Sequence, residues 1–172
     1  MTIGVRRLRP DDERADFRSG NIELDRFFAR YAGQNQFRHH IGTTYVAVDG
    51  SAILGFATVA ASELTTAKLS RAARKGLPAY PIPVLRLARL AVDERAQGRG
   101  VGQVLLRAVF VLAHKMADEL GCLGVVVDAK PEAVGFYRKL GFIELDARAG
   151  LLGDRPQPVA MFIELGAVVK EP

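Results

Sequence analysis

The run Gln97-Gly98-Arg99-Gly100-Val101-Gly102 offers a series of backbone N–H groups that few side chains obstruct, and it reads as an anion cradle. Upstream, residues 84–92 alternate aliphatic side chains with arginines and lead into Asp93-Glu94, a turn signal. Downstream, Val101, Val104, Leu105, Ala108, Val109, Leu112, Met116 and Leu120 recur three or four apart, the apolar stripe of a helix laid on a sheet. A glycine loop that opens such a helix aims unsatisfied N–H groups, and the positive end of the helix dipole, at whatever anion binds there. A nucleoside triphosphate loop would close on Lys-Ser or Lys-Thr, but this one continues Gly102-Gln103-Val104. A dinucleotide fingerprint would need a third glycine where Gln103 stands, and an acid closing the next strand about twenty residues on.

The elements that must position this loop follow from the rest of the chain. Its 172 residues suit a single domain spanning 1–172, large enough to bury a core without disulfides or metals. The one cysteine, Cys122, excludes an internal disulfide and fits a reducing compartment. Set between Gly121 and Leu123, it reads as a small buried residue at a strand start rather than a nucleophile. There is no signal-peptide apolar core and no apolar run near the eighteen or so residues of a membrane helix, so the expectation is a cytoplasmic protein with no membrane contact.

A short strand over 3–8 and an acidic turn at Asp11-Asp12-Glu13 come first. Ser19 or Asn21 can cap the next helix, which turns Leu24, Phe27, Phe28 and Tyr31 inward and ends near Arg38-His39-His40, where basic groups suit the dipole. Adjacent histidines on a helix diverge by about 100°, which disfavours a metal site. Residues 43–48 and 53–60 are strand-like and joined by Asp49-Gly50, a hairpin signal. Helical turns over 62–76 would place Leu64, Ala67 and Leu69 inward and Lys68, Arg71, Arg74 and Lys75 outward. The prolines of 78–83 impose an extended lead-in to the strand at 84–92. On that strand Arg86 and Arg89 face opposite ways, so at least one must leave the core or meet an anion. Gly121 stops the long helix, 123–127 is a strand buried on both faces, and Pro131 opens a helix that runs to Leu140 and stops at Gly141. Strands at 142–145 and 159–165 follow, with 147–158 as a connecting loop. The fold class is mixed α/β, a central sheet of six or seven strands with helices on both faces.

Charge is unevenly placed. Between residues 64 and 92 stand six basic residues, Lys68, Arg71, Arg74, Lys75, Arg86 and Arg89, and no acid; without them the chain carries 18 basic and 19 acidic residues. A concentrated basic stretch leading into the loop favours a polyanionic partner such as RNA. A solvated face, or service to an anionic coenzyme, accounts for the same charges.

Gln-x-x-Gly-x-Gly after a long strand, with Leu87-Ala88-Arg89-Leu90-Ala91-Val92-Asp93 before it and Ala133-Val134-Gly135-Phe136-Tyr137-Arg138-Lys139-Leu140-Gly141-Phe142 after it, resembles the GNAT superfamily of N-acetyltransferases. The resemblance implies a GNAT-like sheet splayed between the strand ending at Val92 and the strand at 123–127. It implies acetyl-CoA as co-substrate, with pyrophosphate on the N–H groups of Gln97, Gly98, Arg99, Gly100, Val101, Gly102 and Gln103. The pantetheine arm would lie along the backbone of Leu90, Ala91 and Val92, and Phe136 would belong to the same coenzyme site. Acetyl transfer needs a neutral amine, a donor for the developing oxyanion and a proton for the departing thiolate. The resemblance assigns that proton to Tyr137; no metal is implied. No acid on 84–92 can serve as general base, a position some GNAT enzymes fill with glutamate. An α-amine with a pKa of about 7.7–8.0 needs less help than a lysine at about 10.4, so the acceptor leans towards an α-amine.

Phe17-Arg18-Ser19-Gly20, Leu24-Asp25-Arg26-Phe27-Phe28, Thr43-Thr44-Tyr45-Val46-Ala47-Val48 and Pro81-Ile82-Pro83-Val84 look like the toxin-type GNATs of bacterial toxin-antitoxin pairs. Ser19 departs from the cysteine of many relatives, and Ala88 from a common glycine. That resemblance implies acetylation of the α-amine of aminoacyl-tRNA, with Arg71, Arg74, Lys75, Arg86 and Arg89 on the RNA. The implied partner is a small DNA-binding antitoxin; whether the chain also pairs with itself as a homodimer is left open by the sequence. Two alternatives stay open: a GNAT for a small amine or protein N-terminus without RNA, and a non-enzymatic acyl-CoA-binding module.

Overall fold

Strand-forming residues on either side of Asp49-Gly50 produce a hairpin of β2 (Thr43–Asp49) and β3 (Ala52–Leu64), in register Val48↔Ile53 and Asp49↔Ala52 with a bulge between Ala47 and Val48. This is the hairpin expected from the sequence. The computed structural model describes residues 2–145 and 158–167. Among these, the other strands are β1 (Gly4–Arg7), β4 (Ile82–Val92), β5 (Gly124–Ala129), β6 (Ile143–Glu144) and β7 (Val159–Glu164), and the α-helices are α1 (Ile22–Arg30), α2 (Val101–Glu119) and α3 (Val134–Lys139). The strands form one sheet in the order β1-β2-β3-β4-β5-β7-β6. β1 and β2 pair antiparallel, and β7 runs antiparallel to both of its neighbours, β5 and β6. β4 and β5 are neighbours in that order and are joined through α2. The mixed α/β class read from the sequence is the one observed.

The chain divides into two compact units, Met1–Ala60 with Leu87–Val109 and Ala61–Arg86 with Phe110–Pro172. The first is built on aromatic packing. Asn21 caps α1 by accepting from the Leu24 N–H at 3.0 Å, which sets the helix so that Phe27 and Phe28 are buried. Phe28 stacks on Phe56 of β3 at 4.4 Å between centroids, and Phe17 meets both rings edge-on. Each such pair contributes about 0.5–1.5 kcal/mol beyond the burial of its area. Two expectations fail at the end of this helix. It stops at Arg30 rather than near residues 38–40, and residues Gln34–His39 wind as a separate π-helical turn. Tyr31, expected on the inward stripe, caps the helix and is exposed: beyond it the wider turn no longer advances by 100° per residue, so the α-helical spacing ceases to define a face.

The second unit has its own core, in which Leu64, Leu69, Val84, Val126, Leu145 and Phe162 pack together. Val125, Val126 and Val127 of β5 are all buried, as their unbroken apolar run requires. Gly121, at φ +114, ends α2 with its N–H on the Met116 carbonyl at 2.8 Å. Cys122 is half-buried rather than fully buried; burial raises its thiol pKa, and the thiol donates to the Gly124 carbonyl at 3.3 Å. The helical turns expected over 62–76 are reduced to a 3-10 turn at Thr66–Lys68, because β3 continues to Leu64. Leu64 and Leu69 are buried there, but Ala67 is exposed, since three residues per turn, not 3.6, carries it off the inner face. β4 begins two residues earlier than expected, at Ile82, and the Pro83 carbonyl accepts from the Leu123 N–H at 2.9 Å. The loop expected over 147–158 lies almost wholly outside the described residues.

Candidate active site

At the end of β4, Leu90 and Val92 are half-buried and Ala91 is buried. Asp93 follows and is only 2% exposed. Its N–H donates to the Leu54 carbonyl at 2.8 Å. Its carboxylate accepts from the Arg18 N–H at 3.2 Å, the Arg95 N–H at 2.9 Å and the Arg95 guanidinium at 2.9 Å. Burial works to raise the pKa of Asp93, but these hydrogen bonds from Arg95 and Arg18 outweigh it, and the net position is below the usual carboxylate value. The Glu94 N–H in turn donates to the Arg18 carbonyl at 2.7 Å. Gln97 closes the clasp: its Nε2 donates to the carbonyls of Ser19 at 3.0 Å and Val92 at 3.1 Å.

Above this clasp the loop is open. Gly98 and Gly100 take φ of +80 and +79, and a Cβ on either would meet nothing within 4 Å. That conformation is one L side chains rarely adopt, so the glycines serve backbone shape and leave the space beside it free. Arg99 is exposed between them. The Gly100 carbonyl accepts from the Val104 N–H at 3.1 Å, which starts α2. The N–H groups of Val101, Gly102 and Gln103 then have no acceptor within the helix. Such a set of donors at a helix N-terminus fits a pyrophosphate.

The helix start is seated by Gly55 of β3. A Cβ there would come within 2.8 Å of the Ala91 carbonyl and about 3 Å of Val101 and Leu105. A glycine inside a strand pattern signals such a close approach. The sequence reading missed this role. It also missed the buried anchor Asp93, taken for a turn signal alone, and the side chain of Gln97, assigned only through its backbone. Asp93 did carry a local signal, since its carboxylate caps the 3-10 turn Glu94–Ala96 by accepting from the Arg95 N–H. Its bond to Arg18, 75 residues away, carried none.

The arginines of β4 divide as the alternation requires. Arg86, in the second unit, pairs with Asp128 at 2.7 Å and donates to Ser62 Oγ at 3.3 Å. It already has an anion, which weakens the expectation that it meets RNA. Arg89, in the first unit, lies 3.7 Å over the centroid of the Phe27 ring, a cation–π contact. Its pKa is lowered by desolvation, and among the described residues it has no carboxylate partner. Arg71, Arg74 and Lys75 are exposed in the second unit.

In that same unit, α3 carries Tyr137, 4% exposed, with Phe136 and Phe142 meeting its ring edge-on at 5.2 and 5.3 Å. Phe136 is half-buried. Burial pushes the Tyr137 hydroxyl well above the ordinary phenol range, so it holds its proton at neutral pH. Among the described residues nothing hydrogen-bonds that hydroxyl. The sequence-derived candidates therefore fall into two groups. Arg89, Leu90, Ala91, Val92 and residues 97–103 lie in the first unit; Arg71, Arg74, Lys75, Arg86, Phe136 and Tyr137 lie in the second.

An acetyltransferase (GNAT) domain matches residues 40–144, and on this match, with a glycine loop of the geometry just described, the chain belongs to the GNAT acetyltransferase family. Its relatives are more particular. It is 33% identical over 138 residues to a tRNA-acetylating toxin of Mycobacterium tuberculosis, covering 80% of this chain and 82% of that protein. It is 39% identical over 62 residues to glucosamine 6-phosphate N-acetyltransferase 1 of Oryza sativa subsp. japonica, covering 36% of this chain and 35% of that one. Among solved structures it is similar to AtaT complexed with acetyl-methionyl-tRNAfMet, with a TM-score of 0.82, 25% identity and 97% of both chains covered. It is also similar to AtaTR bound with AcCoA, with a TM-score of 0.76, 26% identity and 96% and 95% of the chains covered. Among the described residues no helix is long and apolar enough to cross a membrane, and no three His, Cys, Asp or Glu side chains cluster as metal ligands.

Proposed function

We propose that the protein transfers acetyl from acetyl-CoA to the α-amine of aminoacyl-tRNA, as a translation-blocking toxin acting in the cytoplasm and neutralised by a DNA-binding antitoxin. The observation that carries this is the similarity to a tRNA-acetylating toxin along four-fifths of the chain. The exposed cations Arg71, Arg74 and Lys75 support it, as does Arg89, a half-buried guanidinium with no carboxylate partner among the described residues.

In the reaction the neutral amine attacks the thioester carbonyl. A C–N bond forms, an N–H at the end of β4 stabilises the oxyanion, and the C–S bond breaks. The thiolate takes a proton from Tyr137, the ammonium gives up its proton to solvent, and a proton from solvent restores Tyr137. A phenol held neutral by burial gives up its proton only to a sulfur that is gaining charge, which confines the transfer to the transition state. The pyrophosphate rests on the N–H groups from Gln97 to Gln103, and the pantetheine arm lies along Leu90, Ala91 and Val92.

A second reading, acetylation of a small amine, is favoured by the match to a glucosamine 6-phosphate N-acetyltransferase over about a third of the chain. The test is transfer of labelled acetyl to bulk aminoacylated tRNA, with deacylated tRNA, free amino acids, a peptide and glucosamine 6-phosphate as parallel acceptors. We expect label on charged tRNA alone, with transfer lowered much more than acetyl-CoA binding by charge reversal at Arg74 and Lys75. Label on the sugar phosphate or the peptide, with none on tRNA, would replace this proposal with the second reading.

A further inference from the structure

Away from the glycine loop, the first unit carries another concave surface. The π-helical turn Gln34–His39 is of a kind that recurs at functional sites, and His40 closes it at φ 55, a left-handed conformation uncommon for a residue with a side chain. Gln36 pins the turn to the sheet: its Nε2 donates to the Leu8 carbonyl at 3.2 Å and its Oε1 accepts from the Thr44 N–H at 2.8 Å. The result is an open cavity of about 610 Å³, with Arg6, Arg7, Arg9, Gln36, Phe37 and His40 in its lining.

The residues lining this cavity include arginines and no carboxylate. Asp12 is the carboxylate bonded at its rim, and it is already engaged by both Arg6 nitrogens at 2.8 Å and by the Arg9 N–H at 2.7 Å. The side chains of Arg7 and Arg9 are exposed and pair with no carboxylate among the described residues. Phe37 is 39% exposed. Summed charge conceals this patch, because Asp11, Asp12 and Glu13 cancel it in the count.

Exposed cations bridged to no carboxylate, beside a solvent-facing aromatic ring in a hollow of small-ligand size, have the chemistry that holds an unpaired nucleotide: guanidinium on phosphate, ring on base. An acidic peptide would satisfy the arginines but leave Phe37 and the hollow without a role. We infer that this cavity holds one unstacked nucleotide of the RNA substrate, its phosphate between Arg7 and Arg9 and its base on Phe37. The inference rests on the aminoacyl-tRNA reading above. β1 stands three places from β4 in the sheet order, about 14 Å at ordinary strand spacing, a span that a few nucleotides cover.

The test is equilibrium binding of deacylated tRNA to the full chain across a salt series, for the wild type, Arg7→Ala/Arg9→Ala, Phe37→Ala and Phe37→Tyr. Acetyl-CoA binding and transfer to charged tRNA are measured alongside. The double variant should weaken tRNA binding about tenfold near physiological salt and flatten the slope of log K against log salt by about 0.7, the counterion release of one single-strand phosphate. Phe37→Ala should weaken binding at least about fivefold without changing the slope, and Phe37→Tyr should restore it. Acetyl-CoA affinity should hold in all three, which also reports that they fold. Unchanged tRNA affinity in every variant, with a wild type that acetylates charged tRNA, overturns the cavity and leaves the reaction standing. A wild type that neither binds nor acetylates tRNA overturns both. An arginine effect shared by a polyglutamate competitor, with Phe37→Ala silent, overturns the nucleotide in favour of an acidic peptide.

Discussion

Between residues 93 and 103 the chain presents open glycine backbone and buries the Asp93 carboxylate, whereas at Tyr137, the proposed proton donor, the side chain is itself buried among aromatic rings. The first arrangement suits an anion that is charged in ground state and transition state alike, since many weak donors bind it uniformly. The second suits a charge that exists only while the C–S bond breaks, since one neutral donor in an apolar wall gains little until that moment. The difference predicts separable defects: damage to the loop should appear in coenzyme affinity, damage to the tyrosine in turnover.

The largest expected effect tests the tyrosine side. Tyr137→Phe removes one oxygen and keeps the aromatic packing, so kcat for acetyl transfer should fall about 100-fold or more while acetyl-CoA affinity, by titration calorimetry, changes less than about threefold. An affinity loss equal to the rate loss would erase the contrast between the two regions.

Beneath the loop, Asp93→Ala leaves buried donors from Arg18 and Arg95 without an acceptor, at a cost of about 2 kcal/mol in unfolding free energy by urea titration. The sign with pH follows from a folded-state pKa below the unfolded value of about 3.9. Stability from Asp93 is fully present above that unfolded value and is lost as pH falls through the folded one. The wild-type advantage over Asp93→Ala should therefore shrink below about pH 4, and an advantage constant down to pH 2 would remove the carboxylate from this role.

The smallest effect belongs to the open face of the loop. Gly100→Val forces a β-branched residue into a left-handed conformation. It should raise the Kd for acetyl-CoA about tenfold, with kcat retained at saturating coenzyme. A fall in kcat without a change in Kd would mean that the loop acts on the chemistry rather than on binding.

Much of this contrast was legible in the sequence. The loop announced itself through glycine spacing and the apolar stripe of α2, while the role proposed for Tyr137 rests on resemblance to a known family. Both are local patterns, and local patterns survive in a sequence. What lay hidden was the support. Arg18 reaches Asp93 across 75 residues, Gly55 yields to a helix that begins nearly fifty positions later, and Gln36 ties Leu8, just past β1, to Thr44 of β2 from a turn with no α-helical spacing. The same limit explains Tyr31 and Ala67, each placed inward by an α-helical period that the backbone abandons at that point. Charge was legible in sum but not in place: Arg86 looked available until Asp128 was seen beside it.

The clasp that Arg18, Ser19, Asp93 and Gln97 form under the loop also fixes when the ordering of this segment takes place. Holding a residue in one backbone conformation costs about 1–2 kcal/mol of conformational entropy, a debt that a floppy glycine loop would settle out of its ligand's affinity. Here residues 93–97 are tied down by folding itself, so a coenzyme bound as proposed would meet a preorganised surface, its binding energy remaining available for the arm and the thioester.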